Sequence, residues 1–152
     1  MMDASEYSIL LVEDDSNDIL FVQRAFRKVN ATNSIYIVKD GDAAIDYLSG
    51  EGEYGDRDQY PLPALILLDL KLPRRSGVEI LEWLRQQPGL KRIPVVILTS
   101  SRENLDIQLS YDLGVNSYLV KPVKFDALAK MIAALDAYWL QLNEYPAISP
   151  VN

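Results

Sequence analysis

Short unbroken apolar runs alternate along this chain with longer stretches in which apolar residues recur every three or four positions. The runs YSILLV (7–12), SIYIV (34–38), ALILL (64–68), IPVVIL (93–98) and NSYLV (116–120) read as strands. Continuous apolar runs with little alternation predict strands covered on both faces. Helical periodicity spans about Ser16 to Val29, Asp40-Gly41 through Tyr47, and Lys124 to about Asn143. Two further helices are predicted by Ser-x-x-Glu starts: Ser76-Gly-Val-Glu79, running to about Gln87, and Ser100-Ser-Arg-Glu103. The segment SGEGEYGDRDQYPLP (49–63), rich in Gly, Pro and charge, predicts a surface loop. Strands alternating with helices imply an α/β fold, a doubly wound parallel sheet of five strands with helices on both faces. With no internal repeat or second domain, residues 1–143 are expected to form one domain. Residues 144–152 are expected to be a Pro-containing tail, with no output domain expected.

Composition narrows what such a domain can do. The 152 residues can bury a proper core, and 49% apolar with 24% charged residues is an ordinary globular balance. A formal net charge of −7 and no basic cluster argue against nucleic acid or an anionic membrane as partner. The start, MMDASEY, lacks the apolar core of a signal peptide, and no apolar run is long enough to span a bilayer. A cytoplasmic location is expected. With no cysteine and no histidine, disulfides, thiol redox chemistry, Cys/His zinc sites and His-based triads are excluded. Chemistry is left to carboxylates, hydroxyls, lysines and a hard cation.

Ligands of open doubly wound sheets bind beyond the carboxyl ends of the strands, where the strand order reverses. Here the first strand ends in Glu13-Asp14-Asp15, the third in Asp69, the fourth in Thr99 and the fifth in Lys121-Pro122. In the order 2-1-3-4-5, Glu13, Asp14 and Asp69 share one crevice, facing Thr99 and Lys121. Carboxylates crowded together repel unless a cation lies among them, and an all-oxygen site suits Mg²⁺. Such a site fits phosphoryl transfer with an aspartate as nucleophile. Asp15 or Ser16 is expected to cap the following helix instead of binding metal.

The set LLVEDD, LILLDLKLP, VVILTSS and SYLVKP resembles a response regulator receiver domain over about residues 7 to 142. The resemblance implies the flavodoxin-like order 2-1-3-4-5 and a protein that catalyses only its own phosphorylation and dephosphorylation. It implies Asp69 as phosphoacceptor, Mg²⁺ held by Glu13, Asp14, Asp69 and the Lys71 backbone carbonyl, and Thr99 and Lys121 on the phosphoryl oxygens. It also implies a cis peptide before Pro122, Tyr118 as switch aromatic, and Lys71 and Ser101 at positions that tune dephosphorylation. The resemblance implies a sensor histidine kinase as donor, and with no histidine in this chain that donor is not internal. The loop at 49–63 and the tail WLQLNEYP resemble small stand-alone regulators paired with cyanobacterial phytochrome kinases, implying a phytochrome-type partner and a homodimer.

Three other functions fit less well. A haloacid-dehalogenase-like phosphatase needs a second aspartate where Lys71 stands. A flavodoxin-like flavin binder needs a Ser/Thr/Gly phosphate loop where the acidic triplet stands, and an unphosphorylated scaffold leaves a complete site unused. Gly50-Glu-Gly-Glu-Tyr-Gly55 matches a dinucleotide pattern in the wrong context, after a helix and before a strand. The Asn30-Ala-Thr32 sequon is irrelevant without secretion. In the fourth helix Leu105, Leu109 and Leu113 lie nearly opposite Ile107 and Tyr111, and only one stripe can pack on the sheet. In the last helix Phe125, Leu128, Ile132, Leu135, Trp139 and Leu142 form the expected core stripe, flanked by Met131, Ala134 and Tyr138. The leftover apolar surface predicts dimerisation through the fourth helix, fifth strand and fifth helix.

Overall fold

Alternate residues of the buried strands serve different cores. In the computed structural model, which describes residues 7–150, the strands are β1 (Ile9–Val12), β2 (Ile35–Val38), β3 (Leu65–Leu68), β4 (Val95–Thr99) and β5 (Ser117–Val120). Leu10, Val12, Ile66, Leu68, Val95 and Ile97 pack to one side, and Ile9, Leu11, Leu65, Leu67, Val96 and Leu98 to the other. This period-two sorting is what an apolar run must do when both sheet faces are covered. Helices α1 (Ser16–Lys28) and α5 (Phe125–Leu135) pack together on the second face. Helices α2 (Gly41–Ser49), α3 (Gly77–Arg85) and α4 (Asn104–Asp112) line the first. All pairings are parallel, in the order β2-β1-β3-β4-β5. The acidic start (residues 1–6), read as no signal peptide, and the last two tail positions lie outside the described residues.

The start of α1 is as expected: Asp15 is its N-cap, accepting from the Asp18 N–H at 3.0 Å. The capping box at Ser76 and Glu79 is also formed. The one expected from Ser100 to Glu103 is not: α4 starts later, at Asn104, so Glu103 is itself the N-cap residue, makes no side-chain cap bond, and Ser100 lies outside the first turn. Neither apolar stripe of α4 is buried. At about 100° per residue its inward face centres on the buried Ser110, with Ile107 and Leu113 half-buried beside it. Leu105, Leu109 and Tyr111 are left exposed.

The last helix reaches its expected end but changes type. Beyond α5 a π-helical segment, Asp136–Leu142, adds a residue per turn and rotates the register, so Leu140 is buried and Leu142 is 75% exposed. Trp139, expected in the core stripe, is half-buried. The buried Asp136 carboxylate accepts from Gln141 Nε2 at 2.7 Å, a link that spans the widened turn.

Two segments read as loose are tied down. In the 49–63 loop, a 3-10 turn at Gly52–Gly55 brings Tyr54 to within 5.0 Å (ring centroids) of the buried Tyr47, with Tyr60 beside both. Arg57 then donates to the carbonyls of Tyr47, Leu48 and Tyr60. In the tail, Tyr145 packs on Tyr7 with ring centroids 4.0 Å apart, and the Ser149 N–H donates to Gly89 O at 2.9 Å. A Cβ at Gly89 would lie 2.3 Å from Ser149 O, so glycine permits that approach.

Candidate functional site

Register sets the site. Val12 is opposite both Val38 and Leu68, so Glu13 and Asp69, one residue beyond, leave neighbouring strands side by side. Thr99 lies opposite Val120, which puts Lys121 one step past it on the outer side. Backbone bonds from Asp69 N–H to Val12 O (3.0 Å) and from Lys121 N–H to Thr99 O (2.7 Å) extend the ladder to these residues. Beneath them, the N-terminus of α3 crowds the loop after Asp69. A Cβ on Gly77 would meet Asp69 O at 2.5 Å, and the Gly77 N–H donates to Leu70 O at 3.0 Å. Only glycine allows helix and loop to lie so close.

Asp69 is buried, and both its oxygens are engaged. Oδ1 accepts from the Thr99 hydroxyl at 2.7 Å and the Lys71 N–H at 3.3 Å; Oδ2 accepts from Lys121 Nζ at 3.0 Å. Burial opposes ionisation of Asp69, but the Thr99 hydroxyl and then Lys121 outweigh it and hold the carboxyl below its usual range. Glu13, 2% exposed, goes the other way: burial, reinforced by the Asp69 charge, pushes it up to about 7 despite its bonds with Lys121 and the Asp15 N–H. The Lys121 ammonium bonds Glu13, Asp18 (2.9 Å) and Asp69, committing its three donors. Burial alone would lower its proton affinity, but Glu13 and Asp18 reverse this and keep it charged.

Oxygens of Glu13, Asp14 and Asp69 lie within 4.8 Å of one another. Mg²⁺ holds oxygens at about 2.1 Å, so ligands on opposite sides of one ion stand roughly 4.2 Å apart. The three carboxylates are thus close to the span one hard cation requires, and their all-oxygen chemistry suits it. Asp14 is exposed and open to a hydrated ion.

Every side chain expected at the site lies at this end of the sheet. Thr99 bonds Asp69 itself here, and Lys71 contributes its N–H. Tyr118 is half-buried, its hydroxyl donating to Ser101 O at 3.0 Å. The expected cis bond at Lys121-Pro122 is absent, and the described residues have none. Trans is the intrinsically favoured state, and Lys121 meets its carboxylates without departing from it. Asp18 and Asp106 were missed by the sequence reading. Asp18 had a local signal, three residues after the Asp15 N-cap in the first turn of α1; Asp106 had none, since its link to Lys71 joins loops far apart in sequence.

The family model "Response regulator receiver domain" matches residues 9–133. Response regulator Rcp1 of Synechocystis sp. is 42% identical over 139 residues, which cover 91% of this chain and 92% of that protein. The solved structure of the phosphorylated cyanobacterial phytochrome response regulator RcpA superposes with a TM-score of 0.87 at 39% identity, covering 93% of this chain and 99% of that one. The Mn²⁺-bound form of Rcp1 superposes with a TM-score of 0.83 at 42% identity, with the same coverage.

Proposed function

Because this chain belongs to the response regulator receiver domain family, and so to two-component signalling, we propose that Asp69 is its phosphoacceptor. The observation that carries this is the state of Asp69: buried and kept ionised by Thr99 and Lys121, within reach of the Glu13 and Asp14 carboxylates. A carboxylate oxygen attacks the phosphorus of a kinase phosphohistidine. A P–O bond forms as the P–N bond breaks, and its electron pair returns to the imidazole. Glu13, Asp14, Asp69 and the Lys71 carbonyl would hold Mg²⁺, which supplies charge neutralisation at the phosphoryl oxygens. Thr99 and Lys121 now donate to Asp69 and are placed to donate to those oxygens instead. The chain catalyses only the gain and loss of this group, in the cytoplasm, and residues 1–143 carry the activity.

Similarity to phytochrome-associated regulators supports a phytochrome-type sensor histidine kinase as donor. Output runs through a second copy of the chain. Exposed Leu105, Leu109 and Tyr111 on α4 support that face, as does a groove of about 310 Å³ where Ser117 and Leu119 of β5 meet Met131 and Tyr138. Tyr118 is the switch: once Thr99 turns to the phosphoryl group, the tyrosine ring follows inward.

The test is incubation with acetyl phosphate and Mg²⁺, followed by intact mass spectrometry. A gain of one phosphoryl group is expected for the wild type, and none for Asp69→Asn or after chelation. A wild type left unmodified, or an Asp69→Asn variant modified as readily, removes the proposal.

A further inference from the structure

We propose that Asp106, in the first turn of α4, is a positioning residue that sets the lifetime of the Asp69 acyl phosphate; this rests on Asp69 being the phosphoacceptor. Asp106 Oδ2 accepts from the Ser101 hydroxyl at 2.6 Å and lies 3.6 Å from Lys71 Nζ. Each of those residues leads back to one oxygen of Asp69. The Lys71 N–H donates to Asp69 Oδ1 at 3.3 Å. The Ser101 N–H lies 3.5 Å from Thr99 Oγ1, whose hydroxyl donates to the same Oδ1 at 2.7 Å. In the unphosphorylated chain the contacts therefore close a ring that starts and ends on Asp69 Oδ1. When Thr99 turns to the phosphoryl group that closure opens, while the links from Asp106 to Ser101 and Lys71, which do not pass through Thr99, still tie the two loops. It joins the loop after β3 to the loop after β4, and α4 supplies the link between them. In the unphosphorylated chain the Tyr118 hydroxyl also donates to Ser101 O.

The two arms differ in strength. Lys71 is 62% exposed in its side chain, so its ion pair is screened and weak alone. The Ser101 arm is a short charge-assisted bond to a carboxylate only 18% exposed. Loss of the acyl phosphate requires a water to reach phosphorus opposite the Asp69 oxygen. The P–O bond to Asp69 breaks, its electron pair restores the carboxylate, and both hydrogens of the water leave with inorganic phosphate as H₂PO₄⁻. The two tied loops border that approach. Cutting the Asp106 links lets them part, and water enters more easily.

Wild type, Asp106→Asn, Ser101→Ala, Lys71→Ala and the Asp106→Asn/Ser101→Ala double variant are phosphorylated with acetyl phosphate and Mg²⁺. After desalting, loss of the phosphoryl mass is followed with time. Asp106→Asn and Ser101→Ala are expected to hydrolyse roughly three- to tenfold faster, the effect of about one lost hydrogen bond. Lys71→Ala is expected to change less, and the double variant to be no faster than the faster single one. Asp112→Asn, the same charge change elsewhere on α4, keeps the wild-type rate. Thermal melts accompany each variant; should Asp106→Asn fail to fold, Asp106→Glu, which keeps the charge but shifts the carboxylate off Ser101, replaces it and is expected to accelerate hydrolysis likewise. An Asp106→Asn lifetime within twofold of wild type, Asp106→Asn and Ser101→Ala effects that multiply, or an equal acceleration by Asp112→Asn overturns the role of Asp106. A wild type that takes no phosphoryl group overturns the phosphoacceptor reading instead.

Discussion

Glu13 and Asp69 sit at adjacent strand ends, both buried, with opposite proton affinities. Asp69 has the Thr99 hydroxyl on one oxygen and Lys121 on the other, so it is ionised and nucleophilic at neutral pH. Glu13, pushed up to about 7, still holds a proton in a large share of molecules there. Between the ordinary 4.5 and about 7 the metal-free native state therefore binds a proton that the unfolded chain has lost. That stability is full below 4.5 and disappears as pH rises through about 7. A divalent cation must displace the same proton. Mn²⁺ or Mg²⁺ affinity is accordingly expected to be about tenfold weaker at pH 6 than at pH 8. Titration followed by tryptophan fluorescence checks this: Glu13→Gln should bind more weakly and lose most of the slope, and a flat wild-type profile would contradict the assignment. Glu13, Asp14, Asp69, Thr99 and Lys121 were legible because each stands where an apolar run stops. Asp106 was not, because its importance depends on which loops meet.

At the scale of elements, sequence reading worked where a local pattern was satisfied locally. Ser76 and Glu79 cap each other within one turn, so the pattern and its structural result are the same object. Between Ser100 and Glu103 the same pattern is present but the helix begins at Asn104, which turns Glu103 into the N-cap residue and leaves the expected box unformed. The last helix shows a comparable limit: its length follows from the apolar period, but the π turn, bridged by the bond from Gln141 to the buried Asp136, has no signature in that period. The 49–63 segment was read as a loop because its glycines and charges give no period. Its order comes from Arg57, which satisfies carbonyls of Tyr47, Leu48 and Tyr60 at once. Arg57→Ala is expected to cost roughly 2 kcal/mol by urea unfolding, from the charged hydrogen bonds lost. A change below about 0.5 kcal/mol, typical of plain surface positions, would show that the aromatic cluster orders the loop unaided.

For the whole molecule, α4 carries three of the eight large apolar side chains exposed among the described residues, more than any other helix. Leu105 is 64% exposed and Tyr111 50%, while α4 contacts the sheet through Ser110 and its half-buried neighbours. If this face joins two copies, Leu105→Glu with Tyr111→Glu should give a monomer by light scattering under conditions where the wild type, with or without beryllofluoride, is a dimer. Both positions are exposed, so the melting temperature of the monomer should change little. A concentration-independent wild-type monomer in both states would remove the dimer. No helix among the described residues is long and apolar enough to cross a membrane.

The sequence by itself determined the alternation of strands and helices, the parallel doubly wound class and the carboxylates at the strand ends. Each of these follows from the order of apolar and polar residues along one stretch of chain. Tertiary structure decided which side chain shares a proton or an ammonium with which. It turned Asp18 toward Lys121, made Glu103 the N-cap of α4 in place of Ser100, and put Leu140 inward in place of Trp139. Such choices depend on distances between segments far apart in sequence, and the pattern of a single segment carries no record of its neighbours.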